Sequence, residues 1–515
     1  MANWLGHKDF MVDQMKIVKP LAWSILAITL WVVKPVLAES VLRVGITSLP
    51  SSRGNPFNTT SGLPSLYTYA AFFEGLTRVD NEAKPVPMLA ERWESESQTS
   101  WLFYLRPNVT FSNGEPVDAH AIAATYAIMQ TDLGKTYPVT RELAGIAGVE
   151  AVDDTTVRIT TTAPDALLPH KVAALKIVPP KYWAEVGVEE FAAAPIGSGP
   201  FIVKEYTSAR MELVRSPTAW RQPILDGVEL IAAAESVARI QGVLSGRLHI
   251  GLQLGPDEIP LVESAGHKMV VGVDPSMQVL AFITEKESPL KDVRVRQALN
   301  YAVNRDGISQ GLLGGYVKMA TQTTPSFAFG WDPSLELWPY DPDKARALLT
   351  EAGYPDGFSF TAEILLGSAS YSPQVYQQVA ADLARVGVTL SLRQIPATQY
   401  ARGVYQGDWA GEAIGIDYGV NPSLDSLTPL VRHSCLWITP WFCDQSVLPL
   451  LAEAEAAFDL EERRVLTQGV MRHQLSLVPA ILLYETARFD AVNRAVQGYD
   501  ISVGHIDYDK ISIGD

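Results

Sequence analysis

The segment Leu280–Arg305, LAFITEKESPLKDVRVRQALNYAVNR, constrains the fold more than any other stretch of the chain. Leu280-Ala281-Phe282-Ile283-Thr284 is a short apolar run suited to a buried strand. After Pro289 the period changes: Val295, Ala298, Leu299, Ala302 and Val303 recur at helical spacing, with Arg294, Arg296, Asn300 and Asn304 largely on the other side. Asp292 stands where a carboxylate caps the free amides of a helix start and suits its positive dipole end. A strand that opens a new helical layer near the middle of a long chain is a natural passage between two lobes. Read by itself, the segment is more simply an ordinary strand-to-helix connection inside one domain.

The other bounds come from size and charge. A chain of 515 residues exceeds one compact core, so two or three domains are expected. With 47% apolar and 19% charged residues it reads as globular, without repeats or low-complexity tracts. The formal charge of −16 argues against nucleic acid and anionic membrane surfaces as partners. At the N-terminus, Lys16 and Lys19 precede the apolar run Leu21–Val33, and Val36-Leu37-Ala38 presents small or apolar residues to a signal peptidase. Residues 1–38 therefore read as a secretory signal, with Met15 the more typical start. The run is shorter than the ~20 residues a spanning helix needs. Cys435 and Cys443 are the only cysteines, and in an oxidising compartment they are expected to pair. No cysteine lies at the cleavage site, so no lipid anchor is expected.

Along the chain, Val41–Ile46 alternates as a first strand, and a Ser/Gly/Pro/Asn-rich loop leads to a helix over about Leu66–Leu76. Trp101–Arg106 and Val157–Thr160 read as strands, Asn113-Gly114 as a turn, and Asp118 as the cap of a helix to about Met129. Pro195-Ile196-Gly197-Ser198-Gly199-Pro200 reads as a glycine turn feeding a strand, Phe201–Tyr206. Its glycines are assigned to backbone geometry rather than to anion binding. A helix from Pro342, a strand over Phe358–Leu365, a helix over Pro373–Val386 and a strand over Val388–Ile395 form an α/β alternation. Helices follow over Leu448–Phe458 and Glu461–Leu475, then a return strand at Ile481–Tyr484. No Gly-x-Ser-x-Gly elbow, phosphate loop or His-Glu-x-x-His run is expected. Eight histidines are scattered without metal-ligand spacing, so neither a metal, a cofactor nor an enzyme is expected.

Five stretches carry a family resemblance. Leu89-Ala-Glu-Arg-Trp93, Phe103-Tyr-Leu-Arg-Pro-Asn-Val-Thr-Phe111-Ser-Asn-Gly-Glu-Pro116, Pro195-Ile-Gly-Ser-Gly-Pro-Phe201, Asp292–Arg305 and Tyr340–Gly357 stand in the order seen in extracellular solute-binding proteins of family 5. The chain resembles these peptide/nickel-type ABC transporter binding proteins (cluster C) over about residues 41–500. The resemblance implies an α/β two-lobe periplasmic binding protein fold of type II, with an additional subdomain in lobe I. The expected boundaries are 39–283 for lobe I with the insert near 78–195, 284–485 for lobe II, and 486–515 back in lobe I.

It also implies a ligand site at the lobe edges. Ser61, Gly62 and Leu63 form one candidate loop, with an ordinary solvent loop as the alternative. Trp409, Asp417, Tyr418 and Asn421 lie in the stretch where the family places an Asp-Pro pair and aromatic contacts, and Asp417 matches the aspartate that takes a peptide's amine. Here the later Asp-Pro is Asn421-Pro422. The dipeptide-binding branch has an arginine clamp before a Tyr-x-Pro segment; the matching stretch, Gly367–Pro373 with Ser370 and Tyr371, has none. Arg393, Arg402 and Arg432 are possible replacements. Trp437 and Trp441, in the loop pinned by Cys435–Cys443, offer stacking faces or core packing. His433 beside them reads as a hydrogen-bonded structural residue.

The function expected is thus a monomeric, non-enzymatic periplasmic carrier of a small solute, peptide or peptide-like, which docks on an inner-membrane ABC permease. The alternatives are the same fold carrying an opine, oligosaccharide or nickel/haem chelate, or, in another class, a secreted hydrolase or a peptide-binding chaperone.

Overall fold

A computed structural model describes residues 40–60, 63–365 and 371–514. The export signal and its cleavage point lie outside the described residues. Glu39–Asp515 form one compact unit.

A ten-stranded mixed sheet organises that unit. In chain order its strands are β1 (Val41–Ile46), β2 (Phe201–Tyr206), β3 (Arg210–Arg215), β4 (Gly227–Ala232), β5 (Ile250–Gly251), β6 (Lys268–Phe282), β7 (Phe358–Leu365), β8 (Val388–Ile395), β9 (Ala413–Gly419) and β10 (Ala480–Val492). Their spatial order is β8-β7-β9-β6-β10-β5-β1-β4-β3-β2. β1 runs parallel to β4 and β5, and β7 parallel to β8 and β9, while β6 is antiparallel to both neighbours. A separate four-stranded antiparallel sheet, Ala90–Ser97, Ser100–Leu105, Thr156–Thr161 and Ile146–Ala151 in spatial order, lies between β1 and β2 in the chain.

The two central strands are much longer than their apolar runs predict. β6 starts twelve residues before Leu280, and β10 continues eight beyond Tyr484. Their outer halves are interrupted by Gly272, Asp274, Pro275 and Ser276 in β6 and by Glu485, Arg488 and Asp490 in β10, which hides the period; pairing with each other supplies what propensity does not. The register between them shifts between Val273 and Met277 and again after Gln278.

The helix predicted after Pro289 forms as Val293–Ala302, and the Asp292 side chain accepts from the Arg294 amide at 2.8 Å. Its polar side is not solvent-facing as the period implied. Arg296 and Asn300 are 7% and 0% exposed. Arg296 donates to the carbonyls of Leu477 and Val478, and Asn300 to that of Ala480. Arg305, 2% exposed, donates to the Leu482 carbonyl at 2.7 Å. Three polar side chains of this motif therefore hold the start of β10, satisfying carbonyls that would otherwise be buried unpaired.

The first predicted helix is shorter than expected, Leu63–Tyr69. Beyond it the carbonyls of Ala71 and Phe72 accept from Phe201 and Gly199 rather than along a helix. The glycine turn makes this possible: a Cβ on Gly197 would lie 1.8 Å from the Phe72 oxygen, and one on Gly199 would lie 2.7 Å from Phe72 backbone atoms. Close approach, not anion binding, explains both glycines.

Candidate ligand-binding site

A cavity of about 380 Å³ opens over the middle of the large sheet. Strand period places alternate residues of three neighbouring strands on its floor: Asp274, Ser276 and Gln278 from β6, Thr486 and Arg488 from β10, Gly415 and Asp417 from β9. Gln278 stands opposite both Asp417 and Tyr484, and Gly272 opposite Arg488. Tyr371, Tyr400 and Phe489 supply aromatic walls, and Pro64 and Gln253 belong to the other side. Gln253 holds a positive φ of 56° for a non-glycine residue, while its amide donates to Asp490 at 2.8 Å.

Most polar groups on the floor already have partners. The Gln278 amide donates to Tyr376 and to the Ile416 carbonyl and accepts from Ser372. The hydroxyls of Ser276 and Thr486 are 2.8 Å apart, and the Tyr371 hydroxyl donates to the Ala487 carbonyl. Arg488 donates through Nε to Asp490 and through Nη2 to Tyr499, with its guanidinium 4.1 Å above the Tyr67 ring. Its Nη1 is buried and has no partner.

The two carboxylates differ from these. Among the described residues no cation lies within ion-pairing distance of Asp274 or Asp417, and no other residue's donor bonds to either side chain. Lost solvation pushes Asp274 up to about 7, opposed by Arg488 and reinforced by Asp417 and Asp490. Asp417 is also raised, chiefly by lost solvation, with its own backbone amide and Arg432 opposing. Asp417 has accessible surface, and it lines the cavity; enclosure and access coexist because the group faces an internal space. The Tyr400 phenol keeps its proton through burial and the nearby Asp417. The floor thus presents two acids without ion-pair partners beside a buried guanidinium, an arrangement that can bind a charged polar solute.

Residues 84–434 match the family model described as bacterial extracellular solute-binding proteins, family 5 Middle. The chain belongs to this family. The glutathione-binding protein GsiB of Shigella flexneri serotype 5b (strain 8401) is 28% identical over 444 residues, covering 80% of this chain and 83% of that protein. Among solved structures, the periplasmic binding protein DppA of Helicobacter pylori, in complex with the peptide STSA, superposes with a TM-score of 0.78 at 20% identity, covering 93% of this chain and 99% of that one. NikA of Brucella suis, in complex with Fe(III)-EDTA, gives 0.79 at 19% identity, covering 92% and 99%. The fold is the two-lobe periplasmic binding protein fold of the family.

Against this family background the expected site residues separate. Asp417 and Tyr371 line the cavity. Ser61, Gly62 and Ser370 lie outside the described residues, as does the side chain of Leu63. The other aromatic expectations require correction. Tyr418 points to the opposite face of β9, fully buried, its ring 3.6 Å from that of His433. Trp409 is 6% exposed and packs so tightly on Gly403 that a Cβ there would meet its ring at 2.5 Å. Trp441 is 1% exposed against His433, and Trp437 donates its indole N–H to the Val404 carbonyl. None of the three tryptophans lines the cavity. Asn421 borders a separate small space of about 70 Å³ with Arg78, Lys176 and His505. Cys435 and Cys443 are disulfide-bonded.

His433 is structural through stacking, not hydrogen bonding: both ring nitrogens lack partners, and burial holds its pKa well below the usual value. Among the described residues no acidic, histidine or cysteine group has metal-site geometry. One Gly-x-Ser-x-Gly run does occur, Gly307-Ile308-Ser309-Gln310-Gly311, but it lies wholly inside the helix Arg305–Leu312 and forms no strand-to-helix elbow. Of the arginines considered as carboxylate clamps, Arg393 pairs with Glu363 and Arg402 stands 3.8 Å from Asp408, while Arg432 lies over Trp437 and acts electrostatically on Asp417, and none of the three lines the cavity.

Sequence reasoning missed Asp274, Arg488 and Tyr400. For the first two a signal existed. Charged residues inside otherwise apolar strands must be paired or put to use, and Val270–Leu280 and Ala480–Val492 each contain one or more.

Proposed function

We propose that this protein is the substrate-binding component of an ABC importer, capturing a small solute outside the inner membrane and handing it to an inner-membrane permease. The solute is peptide or peptide-like and carries a protonated amine. The observation that carries this reading is the pair Asp274 and Asp417, two carboxylates without cation partners facing one cavity. An ammonium group at either carboxylate would supply charge-assisted hydrogen bonds where the protein supplies none. The relatives named for glutathione and crystallised with a peptide support the solute class.

In this reading lobe I comprises residues from 39 to about 274, with the subdomain near 78–195, and rejoins at about 486; lobe II lies between. The pairing of β6 with β9 only from Ser276 onward supports a seam earlier than Ile283. Solute touching both halves would stabilise the closed form. Residues 1–38 act as the export signal, the mature protein is periplasmic, unanchored and monomeric, and the solute leaves chemically unchanged. No helix among the described residues is long and apolar enough to cross a membrane. An opine is the second reading, because it offers an amine and carboxylates to the same side chains. The sugar reading loses its support with the tryptophans packed away.

A thermal-shift screen over peptides, opines, sugars and metal chelates tests the proposal, since a ligand selective for the folded form raises the melting point. Amine-bearing peptides or opines should raise it and be recovered intact by mass spectrometry. Turnover would favour the hydrolase alternative, and indifference to every solute would remove the carrier reading.

A further inference from the structure

The small space beside Asn421 is walled by hydrogen-bond donors and by no acid. Arg78, from the short strand Thr77–Val79, borders it together with Lys176, His505 and Asn421. Among the described residues Arg78 makes no side-chain hydrogen bond; its one ion-pair partner, Asp507, is 3.8 Å away, and its Nε is buried and unpaired. Lys176 gives a single bond, to the Ala173 carbonyl at 3.2 Å, and no carboxylate of the described residues stands within ion-pairing distance of it. The Asn421 side-chain amide has no partner among those residues either.

The carboxylates nearby are already engaged. Glu74 accepts from Ser198, Trp220 and Arg221, and Asp509 pairs with Arg221. Asp507 pairs with Lys510 at 2.8 Å and stands 3.1 Å from His505. Glu142, bonded to the Thr60 hydroxyl at the edge of the space, is compensated by Arg432, Lys171 and Arg141. Arg78, Lys176, Arg221 and Lys510 thus face Glu74, Asp507 and Asp509, four cations against three carboxylates, and the cation without a pair is Lys176. Burial pulls its ammonium down to about 8, with Glu74 opposing and Arg78 and Arg221 reinforcing, so it stays largely charged at neutral pH. An ammonium drawn out of water without a counter-ion is costly, and this space offers free donors to whatever would supply one.

We propose that the space is an anion site, in which a free anion of chloride or single-carboxylate size sits between Arg78 and Lys176 on one side and the Asn421 amide on the other. Volume sets the size: about 70 Å³ admits a few waters or one small ion, against about 380 Å³ over the sheet. The two spaces share no lining residue, so the site is separate from the solute cavity. In the two-lobe reading above Arg78 and Lys176 belong to lobe I and Asn421 to lobe II. A bound anion then ties the lobes and favours the closed form. That consequence rests on the reading; the site itself does not.

The test uses the intact protein without solute. Chloride, bromide, acetate and the much larger gluconate are compared at fixed ionic strength by thermal melting. The three small anions should raise the midpoint saturably over gluconate, by roughly 1–3 °C at about ten times half-saturation. Crystals grown in bromide should show an anomalous peak in contact with Lys176 and Arg78. K176M should need at least about tenfold more chloride, the loss of one charge-assisted bond. N421D gives the site a carboxylate of its own, so its midpoint in gluconate should rise and its chloride response should vanish; it decides the matter should K176M fail to fold. A midpoint indifferent to anion identity, with no bromide in the space, would overturn the inference. So would an unchanged chloride response in folded K176M or in N421D. Either result leaves the carrier reading standing, because that reading is decided by solutes at the other cavity.

Discussion

Two enclosed acidic sites in this protein are built on opposite terms. Glu74, with no exposed side-chain surface, accepts from Ser198 Oγ at 2.8 Å, Trp220 Nε1 at 2.9 Å and Arg221 Nε at 2.9 Å. Asp274 and Asp417 have no such donors and face open space instead of packed side chains. A buried carboxylate that is fully bonded holds structure together; one left without partners beside a cavity is stabilised only by something that enters. The difference separates a packed network in the first half from an open acidic pair at the centre of the sheet.

The comparison can be broken most directly at Glu74. Replacing it by alanine leaves the buried Arg221 guanidinium with Asp509 alone and removes the acceptor of Ser198 and Trp220, and unfolding in urea should show a loss of about 3 kcal/mol. A loss under ~1 kcal/mol would mean that the network is ornamental. Asp417→Asn should behave in the opposite way. Affinity for an amine-bearing solute should fall roughly tenfold to a hundredfold by calorimetry, while stability of the empty protein stays level or rises, since an unpaired charge has been removed. A variant that binds normally but unfolds early would place Asp417 with Glu74 after all.

Asp274 sharpens the contrast through pH. Its carboxyl is raised from 3.8 to about 7 in the folded protein, so the folded form binds the extra proton. The resulting stability is fully present below pH ~4 and is lost as pH rises through ~7. The melting temperature of the empty protein should therefore decline across that window, and Asp274→Asn should flatten the decline. A cation bound beside it pulls the carboxyl back down, so solute binding near pH 6–7 should release protons, measurable by calorimetry in two buffers of different ionisation enthalpy. Proton uptake would contradict an ammonium at this position. The smallest effect is expected at Trp437. Its alanine variant should change solute affinity by less than about threefold, as for substitutions away from the binding surface, because its indole serves the Val404 carbonyl.

Much of the framework was legible in the amino-acid order. Strands β7 and β8 occupy the spans that alternation predicts, Phe358–Leu365 and Val388–Ile395. Asp118 and Asp292 cap the helices they precede, and the disulfide closes the loop that the two cysteines define. These features depend on neighbours in the chain, whose interactions are set by local geometry and period. The candidate site was half visible. Asp417 was found by family pattern, yet the adjacent tryptophans drew attention to a loop whose aromatic faces are spent on packing.

Period and caps thus determined from sequence alone an alternation of strands and helices, and five motifs in order marked the chain as one of the family 5 solute-binding proteins. Only the tertiary structure decided which charged groups share a cavity. Asp274, Asp417 and Arg488 are brought onto one floor by pairing among β6, β9 and β10, strands more than a hundred residues apart in the chain for the most distant pair. Whether a buried charge finds a partner depends on that long-range register, and no local pattern encodes it.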